Sequence, residues 1–191
     1  MNNILEIENF IPESKCKEII QTHQQELSAA TVLSQNAGTI DTRYRIADGC
    51  WIRDDNTEAV RYFKQKISEF SGLPIENQEV PHLVKYEIGG KYEPHHDFFQ
   101  ESDGTYATEC LNRGGQRIYT CILYLNQEFS GGGTDFPKMN FMVTPTTGKF
   151  VMWKNLDENS QPLDQSMHAA LPVVSGTKWV LIVWVRENKF Q

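Results

Sequence analysis

Val80-Pro81-His82-Leu83-Val84-Lys85-Tyr86-Glu87-Ile88-Gly89-Gly90 is where the chain changes character. Val80–Ile88 is rich in β-formers and is closed by a glycine pair, which predicts a strand ended by a turn. The pattern recurs downstream in Arg117–Leu125, Phe141–Thr144, Lys149–Trp153 and Trp179–Val185, with Gly114-Gly115, Gly131-Gly132-Gly133 and Gly148 as punctuation. Upstream the periodicity is different. After a short strand within Ile4–Phe10, Ile11-Pro12-Glu13-Ser14 opens a helix, with Pro12 suited to the first turn and Glu13 at the favourable end of the dipole. Cys16, Ile19, Ile20 and His23 follow at helical spacing. A second helix, capped by Asp54, Asp55 or Asn56, buries Val60, Phe63, Ile67 and Phe70 and is stopped by Gly72 and Pro74. Helices confined to one end of a run of strands predict an α+β, mainly β domain: a β-sandwich or jelly roll backed by helices. The whole chain, 1–191, reads as one domain, with 1–78 as a helical support segment and 79–191 as the core. Phe99–Gln116 is a polar connection long enough to be a lid or binding loop.

Composition narrows the function classes. The 39% of hydrophobic residues among 191 suffices for one core and excludes a wholly disordered chain. Trp179–Val185 is the longest apolar run, far below the ~20 residues of a membrane span, so no membrane partner is expected. The start, Met-Asn-Asn-Ile-Leu-Glu, lacks a basic n-region and an apolar core, so no signal peptide is expected. A net charge of −7 opposes phosphate backbones and argues against nucleic acid. Cys16, Cys50, Cys110 and Cys121 show no CxxC spacing, and Cys16 and Cys121 lie in apolar patterns; this favours a reducing, cytoplasmic compartment.

Two of the five histidines stand in Pro94-His95-His96-Asp97-Phe98. On an extended strand, residues i and i+2 share a face, so His95 and Asp97 converge while His96 points away. An imidazole and a carboxylate on one face are two thirds of a facial triad for non-haem Fe(II). The pair alone fits a surface histidine beside a solvated aspartate better than it fits a metal site, because such pairs arise often by chance. A third ligand has to come from elsewhere. His168, just before a strand, is the best placed; His82 reads as a hydrogen-bonded strand histidine, and His23 as a half-exposed helix residue. Lys178 stands directly before the apolar Trp179–Val185 run. A lysine there is costly unless paired, for instance with an acidic co-substrate, or unless its ammonium snorkels out of the strand end.

Longer motifs carry a resemblance. Tyr86-Glu87-Ile88-Gly89-Gly90-Lys91-Tyr92-Glu93-Pro94-His95-His96-Asp97-Phe98 resembles the Y-x-x-G-x-x-Y-x-x-H-x-D-F motif of the prolyl 4-hydroxylases, which are Fe(II)- and 2-oxoglutarate-dependent dioxygenases. Arg117 to Asn126 resembles that family's R-x-x-T-x-x-x-Y-L-N strand, and Gly132-Gly133-Thr134-Asp135-Phe136-Pro137 its G-G-x-T-x-F-P turn, with Thr and Asp shifted by one. His168 to Trp184 is similar to its H-x-G-x-P-V-x-x-G-x-K-W-x-x-x-x-W ending, and Ile7 to Pro12 to its N-terminal segment. Ala170 and Gly90 depart from the usual Gly and Gln. Lys178 in place of Arg resembles the collagen, plant, algal and bacterial branch.

The resemblance implies a double-stranded β-helix (jelly-roll) core. It implies Fe(II) held by His95, Asp97 and His168, and 2-oxoglutarate gripped at its distal carboxylate by Lys178 and Tyr124, with Thr120 lining the pocket and Tyr86 nearby. Arg117 and Trp184 would border a proline-containing peptide substrate. O2 would be the second co-substrate, succinate and CO2 would be released, and ascorbate would serve as reductant. Three other readings compete: a same-fold hydroxylase of a free amino acid or lysine side chain, a binding module with a decayed site, and a nucleic-acid demethylase. The net charge of −7 opposes the last of these.

Overall fold

The structure, a computed structural model, describes residues 4–31, 41–53, 57–100 and 104–191. In chain order these form β1 (Ile4–Ile7), α1 (Glu13–His23), β2 (Ser28–Ala29), β3 (Arg45–Ile46), β4 (Asp48–Trp51), α2 (Glu58–Ser71), β5 (His82–Tyr86), β6 (Lys91–His95), α3 (Gly104–Asn112), β7 (Arg117–Tyr124), β8 (Phe129–Gly131), β9 (Thr134–Phe136), β10 (Phe141–Val143), β11 (Phe150–Lys154), β12 (His168–Ala170), β13 (Val173–Gly176) and β14 (Lys178–Arg186). A seven-stranded sheet runs β1-β11-β7-β14-β5-β4-β2, and a five-stranded sheet runs β10-β9-β12-β6-β3. The pairings in both are antiparallel. The fold is the expected mainly-β jelly roll backed by N-terminal helices.

Strand alternation builds two cores on opposite faces of the large sheet. Leu83, Cys121, Leu123, Leu181, Val183 and Val185 face Cys16 and Ile19 of α1 and Val60, Phe63 and Ile67 of α2. Their neighbours Val84, Ile122, Tyr124, Val180, Ile182 and Trp184 face inward, where they meet Phe136 and Val143 of the small sheet. Strand β14 lies between β7 and β5 and is buried at every position. Covered on both faces, it has no solvent side to mark with polar residues, which is why it reads as one apolar run.

The N-terminal segment differs from the expected helical support. β1, β2 and β4 extend the large sheet, and β3 adds an edge to the small one. β1 falls within the short strand expected at Ile4–Phe10, whereas β2, β3 and β4 are two to four residues long, too short for alternation to register in the sequence. The caps expected at Asp54, Asp55 and Asn56 lie outside the described residues. Thr57 is the N-cap of α2, its hydroxyl accepting from the Val60 amide at 3.3 Å. Gly72 ends that helix in the left-handed region, as expected. Phe70 is 46% exposed, and Ala59 takes a buried place beside Val60. His23, expected half-exposed, is buried at the end of α1. The Phe99–Gln116 connection is not structureless, because α3 occupies Gly104–Asn112 and buries Ala107 and Cys110. Glycine and threonine at its start, and a single turn and a half of apolar spacing, hide it among polar residues.

Candidate active site

The register of the small sheet decides the first feature of the site: β12 pairs with β6 so that His168 stands directly opposite His95. The two imidazoles lie 4.3 Å apart, centroid to centroid. Each ring is fixed by its own strand, Nδ1–H of His95 donating to the Glu93 carbonyl at 2.8 Å and Nδ1–H of His168 to the Ser166 carbonyl at 2.9 Å. With Nδ1 protonated, Nε2 of each ring carries a lone pair. Both lone pairs are turned on one carboxylate: His95 Nε2 is 3.8 Å and His168 Nε2 3.4 Å from Asp97. Asp97 lies just past the end of β6 rather than within it, so the convergence comes from the bend after His95 as well as from strand alternation.

Three electron-pair donors facing one another repel unless a cation lies between them. The donor atoms fall within 4.8 Å of each other, and two imidazole nitrogens with one carboxylate suit Fe(II). The residues present therefore fit the metal. Burial opposes the charge on Asp97, but the facing His168 and His95 rings and Arg117 outweigh it and hold the carboxyl below its usual range. Burial, reinforced by His168, lowers the pKa of His95 and keeps the ring neutral, as a ligand must be.

Further contacts orient the three. Thr120 Oγ1 donates to Asp97 Oδ2 at 2.7 Å and accepts from Asn155 Nδ2 at 2.9 Å. Tyr92 stacks on His95 at 3.6 Å, and Trp153 meets His168 edge-on at 4.6 Å. Thr120 thus does more than line the pocket expected of it. Asn155 and Trp153 were missed in the sequence because they lie on or beside a strand that reads simply as core.

Lys178 is 2% exposed, and burial pushes its ammonium down to about 7. Nζ donates to the Gly132 carbonyl at 2.6 Å and lies 5.2 Å from the Tyr86 ring centroid and 5.5 Å from that of Tyr124. No carboxylate among the described residues pairs with it. Lys178, Tyr86, Thr120 and Thr134 line a small cavity of about 40 Å³ that also touches all three candidate metal ligands. Tyr124 is fully buried beside Lys178, its hydroxyl 2.6 Å from Oγ1 of Thr134, a residue of the cavity wall.

A larger cavity of about 280 Å³ opens alongside and shares Arg45, Tyr92, Asp97 and Trp184 with the smaller one. Arg117 and Trp184 both line it, as expected of substrate-bordering residues. Arg117 makes a two-pronged pair with Glu79 at 2.6 and 2.8 Å and stacks 4.0 Å over Trp184. The Glu79 charge outweighs burial and raises the Arg117 pKa. His82, expected to be hydrogen-bonded, instead stacks on Trp51 at 4.3 Å with Nδ1 lacking a partner, and burial beside Arg45 and Arg117 lowers it to about 3. Neither it nor His23 joins the triad.

Residues 81–186 match the 2OG-Fe(II) oxygenase superfamily. Over 185 residues the chain is 37% identical to a protein of Acanthamoeba polyphaga mimivirus named "Putative prolyl 4-hydroxylase", covering 96% of this chain and 74% of that one. The chain belongs to the prolyl 4-hydroxylase family of 2OG-Fe(II) oxygenases. Two solved structures share the fold. A viral collagen prolyl hydroxylase of Paramecium Bursaria Chlorella virus-1, in its 2OG complex, has a TM-score of 0.76 at 21% identity, covering 97% of this chain and 96% of that one. A prolyl hydroxylase of Trichoplax adhaerens, in complex with a hypoxia inducible factor oxygen degradation domain peptide fragment, has a TM-score of 0.72 at 18% identity, covering 98% and 84%. Within this prolyl 4-hydroxylase fold, Glu79 and Arg45 are residues that sequence reasoning missed. Glu79 precedes the strand motif, and Arg45 lies on a two-residue strand, so neither carried a local signal.

Proposed function

We propose that the chain hydroxylates a peptidyl proline in a reaction dependent on Fe(II), 2-oxoglutarate and O2, releasing succinate and CO2. The carrying observation is adjacency: His95, Asp97 and His168 line the small cavity together with Lys178, and Asp97 and Trp184 also line the larger cavity that holds Arg117. His95, Asp97 and His168 would hold Fe(II). The metal and co-substrate, when bound, supply O2 activation coupled to oxidative decarboxylation.

The chain's own residues do the rest. Lys178 pairs its buried ammonium with the distal carboxylate of 2-oxoglutarate. Thr134, oriented by Tyr124, offers a neutral hydroxyl from the same wall. Tyr86 closes the apolar side and excludes water. In the larger cavity the flat face of Trp184 and the guanidinium of Arg117, locked by Glu79, seat the substrate proline over the metal site. That a Trichoplax relative of the same fold was solved with a peptide supports a peptide substrate. Ascorbate as reductant follows from the family resemblance. The reading also assigns a reducing, cytoplasmic setting, where four buried free thiols would persist.

Succinate production with Fe(II), 2-oxoglutarate and a panel of proline-containing peptides tests this. Peptide-dependent succinate, together with a single oxygen atom added to the proline residue, is the expected result. Turnover stimulated by free amino acids or lysine peptides, and not by proline peptides, would replace the reading.

A further inference from the structure

The larger cavity is basic, in a protein whose net charge is −7. Its described lining holds five arginines, Arg45, Arg53, Arg113, Arg117 and Arg186, against two carboxylates, Glu79 and Asp97. Both carboxylates are already engaged. Asp97 is committed to the two histidines and Thr120. Both oxygens of Glu79 are taken by Arg117, with Arg186 Nη1 a further 3.4 Å away.

Two of the arginines are buried yet incompletely satisfied. Arg186 is 1% exposed and donates Nη2–H to the Cys110 carbonyl; its Nη1 forms an ion pair with Glu79 Oε1 at 3.4 Å without hydrogen-bond geometry, and its Nε has no partner. Arg45 is 7% exposed, donates Nη1–H to the Thr31 carbonyl at 3.1 Å, and has no partner for Nε. No ion pair joins Arg45 to a carboxylate among the described residues. Buried guanidinium N–H groups without acceptors are costly, and a planar fork of donors is matched best by a carboxylate. Aromatic surfaces of Trp51 and Trp184 line the same space, so the cavity offers an apolar shelf beside unspent positive charge.

We infer that the peptide taken by this cavity carries an acidic side chain, Asp or Glu, next to the target proline, its carboxylate seated among Arg45, Arg113 and Arg186. This rests on the proline-hydroxylase reading and adds the class of sequence that the site selects. Charge outside the cavity does not contradict it, since exposed charges beyond about 8–10 Å are largely screened at physiological salt.

Binding can be read without turnover, using the protein loaded with Fe(II) and 2-oxoglutarate under nitrogen and following tryptophan fluorescence. The probes are N-acetylated, C-amidated pentapeptides with a central proline and Glu, Gln or Lys on either side of it. The Glu peptide is expected to bind at least about ten-fold more tightly than its Gln isostere, with Lys weakest. The Glu/Gln ratio should shrink at high salt and in Arg113→Gln, whose position at the exposed rim spares the fold, as well as in Arg45→Gln. Equal affinity for Glu and Gln peptides overturns the inference. A Gln peptide left with a free C-terminal carboxylate is the control: tightening by that group alone overturns the inference too, by moving the anion from the side chain to the chain end. Succinate release in air, measured with the same peptides, separates the two levels. Equal turnover of Glu and Gln peptides removes only the acidic preference, whereas no binding and no turnover with any proline peptide removes the proline reading and this inference together.

Discussion

Single side chains carry the most direct predictions. His168→Ala removes one of three converging donors; it should abolish turnover and weaken Fe(II) binding by calorimetry while the circular dichroism spectrum stays native. Thr120→Val should be subtler. It deletes the hydrogen bond to Asp97 Oδ2, and loss of such an orienting partner costs about 10- to 100-fold in metal affinity. An unchanged Fe(II) affinity in Thr120→Val would make this residue part of the wall alone. For Lys178, removing one member of a buried charge pair costs roughly 2–5 kcal/mol, so Lys178→Ala should raise the KM for 2-oxoglutarate by about 30- to 5,000-fold. Tyr124→Phe loses one neutral hydrogen bond, about 0.5–1.5 kcal/mol. A normal KM in Lys178→Ala would show that the co-substrate is held elsewhere. The pH dependence has a definite sign. Burial lowers the free Lys178 to about 7, and a bound dianion favours the protonated form and raises it. Affinity for 2-oxoglutarate should therefore be full below about pH 7 and fall as pH rises above it, which direct binding titrations at pH 6, 7 and 8 would check.

Among the elements, the β8–β9 turn and β14 act together. Gly132 has φ of +65°, and a Cβ there would meet Phe129 at 2.9 Å and Lys178 Cδ at 3.2 Å. Gly132→Ala adds left-handed backbone strain of about 1–2 kcal/mol and pushes on the stem of Lys178. Weaker 2-oxoglutarate binding than in the parent, with Fe(II) binding retained, is the expected result; parental co-substrate affinity would show that the stem can yield. On the opposite face of β14, Leu181 is fully buried in the helix-facing core. Leu181→Ala should cost about 2–5 kcal/mol of stability, read from urea unfolding, with no direct effect on the cavities. The Phe99–Gln116 connection belongs to this scale as well. Phe99 lines the larger cavity and exchanges two hydrogen bonds with the Gln116 side chain, so the two ends of the segment are tied together. If the segment closes over a peptide, limited proteolysis within it should slow when a substrate peptide is added, and equal cleavage in both states would refute a lid.

At the scale of the molecule, the sequence and the tertiary structure divided the work unevenly. Local pattern was enough for the mainly-β class, for β5, β7, β11 and β14, and for both supporting helices, because period-2 and period-3.6 burial write themselves into neighbouring residues. Spacing was enough to bring His95 and Asp97 to notice, position before a strand brought His168 and Lys178, and the family resemblance added Arg117. What the sequence could not hold was any relation between distant segments that leaves no local trace. The pairing of β12 with β6 sets His168 opposite His95, yet a three-residue strand gives no register signal of its own. The positions of β3 and Glu79, far apart in the chain, bring Arg45 and the Glu79–Arg117 pair to one cavity. The contact of the Tyr124 hydroxyl with Thr134, and the stacking of His82 on Trp51, likewise depend on which strand lies beside which. Local burial is a one-dimensional property and is recorded in composition and spacing. Register, and the charge balance of a cavity built from separate strands, a helix and the loops between them, are properties of neighbours in space, and only the assembled sheets decided them.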